Sequence, residues 1–375
     1  MEPCRRCLGR LDILALVSSR FMLKNPYFFH YFKSRSDLRD RWLRFFICPF
    51  TTYSVHFTTG FNMISLSWFI IRPSNKTNEG MVLNQKVKGM NNTLKQIRNA
   101  LGYGGVYLGG QVAGGLGVGV MVSYYMALKY RRPDIMKDPE MVALYKDTVM
   151  NSLGLLVCVA AVATLVMLFL IFKLRHKKMS ESINAVKVSP KKIALGAAIG
   201  IVSMFALCGI LEVLPLSDSI VSSYNEASEG LFTQNVVLAI LGNAIAAPVV
   251  EEVIFRGLIF DRLRKGMPVV PAMIISSILF GLAHGQILWI CYASVLGMVL
   301  CYVFYKTGSI YTSIAMHLAL NLTSTVFSYT GVDASSTVVI VLGGIGIVAL
   351  VALLVLLHNT SKEETSDVEV SVVKV

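Results

Sequence analysis

From Leu101 onward, long apolar runs alternate with short polar ones. Eight such runs can be marked: Leu101–Leu128, Asn151–Phe172, Ile193–Leu214, Val236–Phe260, a fifth that opens at Pro268 and Pro271 and passes His284, then Ile287–Tyr305, Ser309–Tyr329 and Thr337–Leu357. A helix of roughly twenty apolar residues crosses a hydrocarbon core of about 30 Å. The pattern predicts an all-α polytopic membrane protein, with about eight transmembrane helices in one bundle.

Composition agrees and narrows the choice. The 375 residues are 54% hydrophobic and 15% charged, with a mean hydropathy of +0.62. Soluble domains carry charge on roughly a quarter of their residues, so a soluble globule is excluded. A net charge of +13 would fit a nucleic-acid binder, but the Lys and Arg residues sit in short clusters between the apolar runs. That distribution sets membrane orientation and does not make a basic face. The loop from Lys173 to Lys192 holds seven Lys/Arg and is placed in the cytoplasm, whereas residues 215–235 hold none and are placed outside. Alternation then orders the remaining helices, with both ends of the bundle inside. Lys129–Arg132 is the one cluster on the wrong side. Seven scattered Cys include a single CxxC, Cys4–Cys7, so neither a zinc ribbon nor a disulfide framework is indicated.

Four regions follow. Residues 1–80 form an atypical basic extension with 12 Lys/Arg against 5 Asp/Glu and a Phe/Ser/Thr-rich stretch interrupted by Pro49. The reading favours a start near Met81 or Met90 over a weakly membrane-associating extension. Residues 81–234 hold the first three membrane helices and their loops, 235–330 hold helices four to seven, and 331–375 hold the last helix and a polar cytoplasmic tail. The first helix has nine Gly, including Gly105-x-x-x-Gly109 and Gly110-x-x-x-Gly114. Small residues at this spacing serve close helix packing, within the chain or against a second copy in a homo-oligomer.

Ionisable groups inside a bilayer cost about 2.5–3.5 kcal/mol each on insertion scales, so the exceptions are informative. Those deep within the runs are Glu251, Glu252 and Arg256 in the fourth, His284 in the fifth and His317 in the seventh, where the polar Asn321 also stands. Glu252 and Arg256 are four apart and can pair on one helix face. Glu251 is turned by about 100° from Glu252 and is not needed for that pair. His317 and Asn321, also four apart, project together. A carboxylate in apolar surroundings is a better base than one in water, and imidazole and carboxamide can donate to a developing oxyanion. The bland readings are a structural ion pair and helix-to-helix hydrogen bonds.

These residues stand in three motifs: EExxFR at Glu251–Arg256, FxxxH at Phe280–His284 and HxxxN at His317–Asn321. In this order, on successive apolar segments, they resemble the type II CAAX prenyl endopeptidase family, which includes the bacteriocin-processing and self-immunity (CPBP, Abi) membrane proteins. The resemblance covers about a quarter of the chain, from Asn235 to Tyr329. It implies an intramembrane endopeptidase with a catalytic cavity open to the cytosolic leaflet. Glu251 would activate water with help from His284, His317 and Asn321 would form the oxyanion site, and Glu252 and Arg256 would order the site. It also implies a prenylated or unmodified peptide or membrane-protein substrate, the lipid bilayer as surroundings and a bacterial plasma membrane as location. No cofactor is required, although Glu251, His284 and His317 could serve as a three-ligand zinc set. The chain lacks HExxH spacing. A non-catalytic immunity or partner-binding protein would keep the same residues as a binding site. A transporter is disfavoured, because corresponding Gly/Pro-broken helices do not recur in two halves.

Overall fold

The computed structural model describes residues 78–131, 138–232, 235–330 and 335–373. The expectations about the extension at residues 1–77, including the choice of start, lie outside the described residues. Residues 78–91 belong to one compact unit, and the chain from Asn92 onward belongs to a second, which contains everything discussed below.

The described residues form helices and connecting turns, without strands. The helices are α1 (Asn78–Tyr130), α2 (Pro139–Met150), α3 (Leu153–Leu174), α4 (Met179–Ser182), α5 (Pro190–Val213) and α6 (Asp218–Phe232). They continue as α7 (Val236–Leu263), α8 (Val269–Leu282), α9 (Ile287–Thr307), α10 (Ile310–Thr330) and α11 (Ser336–Val373). Each of the eight apolar runs is found as a helix at its expected place: α1, α3, α5, α7, α8, α9, α10 and α11. Six of these, α1, α3, α5, α7, α9 and α11, are long and apolar enough to cross a membrane. This is a multi-pass membrane protein with an all-α fold.

The two helices outside that six differ for separate reasons. Helix α10 has the length, but His317, Asn321 and a run of Ser and Thr dilute its apolar content. Helix α8 has 14 residues, about 21 Å of rise, which falls short of a full crossing. The fifth run therefore does not continue as a helix past His284, as the apolar pattern predicts. It stops at Leu282, because Gly285 turns the chain at φ 72° and the His284 N–H bonds back to the Gly281 carbonyl. Gln286 then caps α9 by accepting from the Trp289 N–H.

Packing holds α7 at the centre. It lies against α3, α8 and α10, while α5 packs along both α10 and α11. Small residues set the approach of these helices. Gly110 and Gly114 bring α1 onto α3 so closely that a Cβ on either would collide with Thr164 or Ala160. Gly105, the start of the other GxxxG pair, has open space beside it. Gly200 on α5 lies directly beneath the Met316 carbonyl of α10.

Candidate active site

Helix α7 carries most of the site, and its geometry is irregular there. It is π-helical over Ile240–Ala246 and again over Glu252–Phe260, and such stretches recur at functional sites. Between them lies Pro248. In the first π-helical stretch the Ala247 N–H bonds to the Gly242 carbonyl, five residues back. The next bond of that register would run from residue 248 to the Asn243 carbonyl, and proline has no N–H to give. The Asn321 side chain takes its place: Nδ2 donates to the Asn243 oxygen at 2.9 Å. A break in one helix thus anchors a side chain from another.

Glu251 and Glu252 are both buried, as is Arg256. Arg256 Nη1 donates to Glu252 Oε1 at 2.8 Å, in the pairing that the four-residue spacing predicts. The same oxygen also accepts from His317 Nδ1 at 2.8 Å. Glu252 thus grips a residue of α10 as well as one of its own helix. Across the imidazole, His317 Nε2 lies 3.8 Å from Glu251 Oε2. The two adjacent glutamates thus lie at opposite edges of one ring, Glu252 bonded to it and Glu251 beyond hydrogen-bond distance. Glu251 Oε1 is occupied separately, accepting from the Tyr107 hydroxyl of α1 at 3.2 Å.

His284, in the turn between α8 and α9, is buried with Nδ1 at 2.8 Å from the Phe280 carbonyl. A carbonyl only accepts, so Nδ1 carries a proton, and in the neutral ring Nε2 presents its lone pair. Phe280 packs against three members of the cluster. The Arg256 guanidinium stands 4.1 Å from its ring centre, and the rings of His284 and His317 meet it edge-on at 4.9 and 5.8 Å. The buried atoms left without a hydrogen-bond partner include Glu251 Oε2, His284 Nε2 and Asn321 Oδ1. Buried polar atoms are normally paired, and these three stand unpaired within the cluster.

All six residues singled out from the sequence therefore enter one region built from α7, α8 with its turn, and α10. Two further residues were missed there. Asn243 is a polar residue in an apolar run, two turns before Glu251, and deserved the same notice. Tyr107 gives a fainter signal: it shares a helical stripe with Ala100, Tyr103, Gly110 and Gly114, spacing that marks the packed side of α1. Among the described residues, no group of three or more His, Cys, Asp or Glu is arranged to hold a metal ion.

The fold and site define a multi-pass membrane protein with a buried acid–base cluster of two carboxylates, two imidazoles, a guanidinium, a carboxamide and a phenol. Residues 233–323 match the family model described as type II CAAX prenyl endopeptidase Rce1-like, so the similarity falls on the segment that carries the site. Over 88 residues the chain is 32% identical to a Bacillus subtilis (strain 168) protein named "Putative membrane peptidase YdiL". That match covers 24% of this chain and 36% of the relative, so the chain spans little more than a third of its relative's length. No solved structure gives a significant match.

Proposed function

We propose that the chain is an intramembrane endopeptidase of the plasma membrane, hydrolysing a peptide bond in a membrane-associated peptide or protein near the cytosolic face. The observation that carries this reading is Glu251. One of its oxygens is held by Tyr107, and the other is unpartnered, buried and directed towards His317.

Chemically, Glu251 Oε2 takes a proton from water as the oxygen attacks the scissile carbonyl carbon, and His284 Nε2 accepts a hydrogen bond from the same water. The resulting oxyanion is received by the second N–H of the Asn321 carboxamide, whose first is committed to Asn243. His317 joins it as a donor from Nε2 only when its ring is doubly protonated, since Nδ1–H is given to Glu252. The proton held by Glu251 then passes to the leaving amine. Arg256 balances Glu252 and keeps that carboxylate in place throughout.

The test is cleavage of prenylated and unmodified peptide libraries by the purified full-length protein, with and without chelator. Wild type should cleave, and Glu251→Gln should lose at least about a hundredfold in kcat. Loss on chelation with recovery on added zinc would replace the water-activating scheme by a zinc-dependent one at Glu251, His284 and His317. Equal inertness of wild type and variant on every peptide would favour the immunity or partner-binding reading.

A further inference from the structure

Tyr107 lies far from the segment that matches the family, on the Gly-rich α1, and the acid–base scheme above does not require it. It is nevertheless buried, and its hydroxyl meets Glu251 Oε1 at 3.2 Å. A carboxylate oxygen accepts, so the phenol donates. The ring is held on one side by Phe255 of α7, edge-on at 5.4 Å between centres. On its own helix, Gly110 and Gly114 one and two turns further along press α1 against Thr164 and Ala160 of α3. One turn earlier, Tyr103 stacks on Phe172 of α3 at 6.3 Å with the rings 9° from parallel. The phenol is therefore delivered to the carboxylate by a helix clamped in place on both sides of it.

A free carboxylate can rotate about its last bond and present either oxygen. Here one oxygen is tied to Tyr107 and the other has no partner and faces the His317 edge. We infer that Tyr107 is a positioning residue for Glu251: by holding Oε1 it stops the carboxylate from rotating and presents Oε2 as the base. The inference rests on the protease reading and adds to it a residue from outside the three motifs. It also gives the Gly-rich first helix a task in the reaction, because the phenol reaches Glu251 only if α1 packs this closely.

The experiment compares the full-length protein with Tyr107→Phe, which keeps the ring and removes one oxygen. Two readouts are taken. The first is steady-state cleavage. Losing a hydrogen bond to a charged group should lower kcat roughly ten- to a hundredfold, with KM within about twofold, because the phenol does not touch substrate. The second is the infrared carboxyl and carboxylate absorption of Glu251, assigned by its loss in Glu251→Gln. It should move in Tyr107→Phe, since the stretching frequency follows the hydrogen bonds the group accepts. A merely structural role would leave the Glu251 band in place. A moved band with lowered kcat and steady KM supports the inference. An unmoved band overturns it, and so does a moved band with unchanged kcat. If Tyr107→Phe does not fold, the band is read through the tyrosine side instead: in the otherwise wild-type fold of Glu251→Gln, the signal of a ring-labelled tyrosine must shift, and its constancy overturns the inference. A wild type inert on all peptides would sink the protease reading and the positioning role with it. A band shift in that case would still locate the failure in the function and not in the contact.

Discussion

Glu252 holds His317 through Nδ1 at 2.8 Å with the same oxygen that receives Arg256. One carboxylate thereby ties the fourth apolar run to the seventh, and does so with no exposure to solvent. Removing one partner of a buried ion pair leaves a bare charge and typically costs about 3–5 kcal/mol. Glu252→Leu should therefore lower the thermal unfolding midpoint in detergent and reduce cleavage at least about tenfold. Adding Arg256→Met to it removes the stranded guanidinium. The double variant should regain much of the lost midpoint without regaining activity, because His317 remains unanchored. Recovery of activity along with stability would show that Glu252 orders the helix and not the imidazole.

The link between Pro248 and Asn321 is measurable as a coupling. Asn321→Leu strips the Asn243 carbonyl of its donor and should cost about 1–3 kcal/mol of stability. In a Pro248→Ala background the new N–H of residue 248 can serve that carbonyl, so the same Asn321→Leu change should cost less. A double-mutant cycle on thermal or denaturant stability reads the difference, and an interaction energy near zero would refute the exchange of donors.

His284 gives a prediction about a proton. Its Nδ1 faces the Phe280 carbonyl, so nitrogen NMR of histidine-labelled protein should find the neutral ring protonated on Nδ1. His284→Gln keeps an acceptor near the Nε2 position and loses the Phe280 bond, and should retain more activity than His284→Ala. The opposite order would place the reactive edge of the ring elsewhere.

Gly200 sits where α5 crosses under the residue preceding His317. A methyl group there would press on the Met316 carbonyl, and backbone cannot yield as a flexible side chain can. Gly200→Ala should lower both the unfolding midpoint and kcat. Gly105→Ala, at a glycine with open space beside it, should change neither beyond the usual surface range of about 0.5 kcal/mol. Circular-dichroism melts of the two variants, run beside cleavage assays, make the comparison.

The amino-acid sequence by itself determined the all-α membrane class, where the apolar helices lie along the chain, and the three short motifs with their faces. These depend on local quantities. Twenty apolar residues span a bilayer wherever they occur, and residues four apart meet on a helix whatever it packs against. The Glu252–Arg256 pair was legible for that reason. Only the tertiary structure decided the partners that come from elsewhere in the chain. Tyr107 finds Glu251 across 144 positions, and Asn321 finds Asn243 across 78. It also decided that α8 ends at Leu282, with His284 in a turn, and that Glu252 holds His317 on the edge opposite Glu251. Such contacts follow from how closely two helices approach and at what rotation, and those are set by Gly110, Gly114 and Gly200 and by the π-helical turns around Pro248. Small residues and local changes of helical register leave little mark on an apolar pattern, but they decide which side chains can meet.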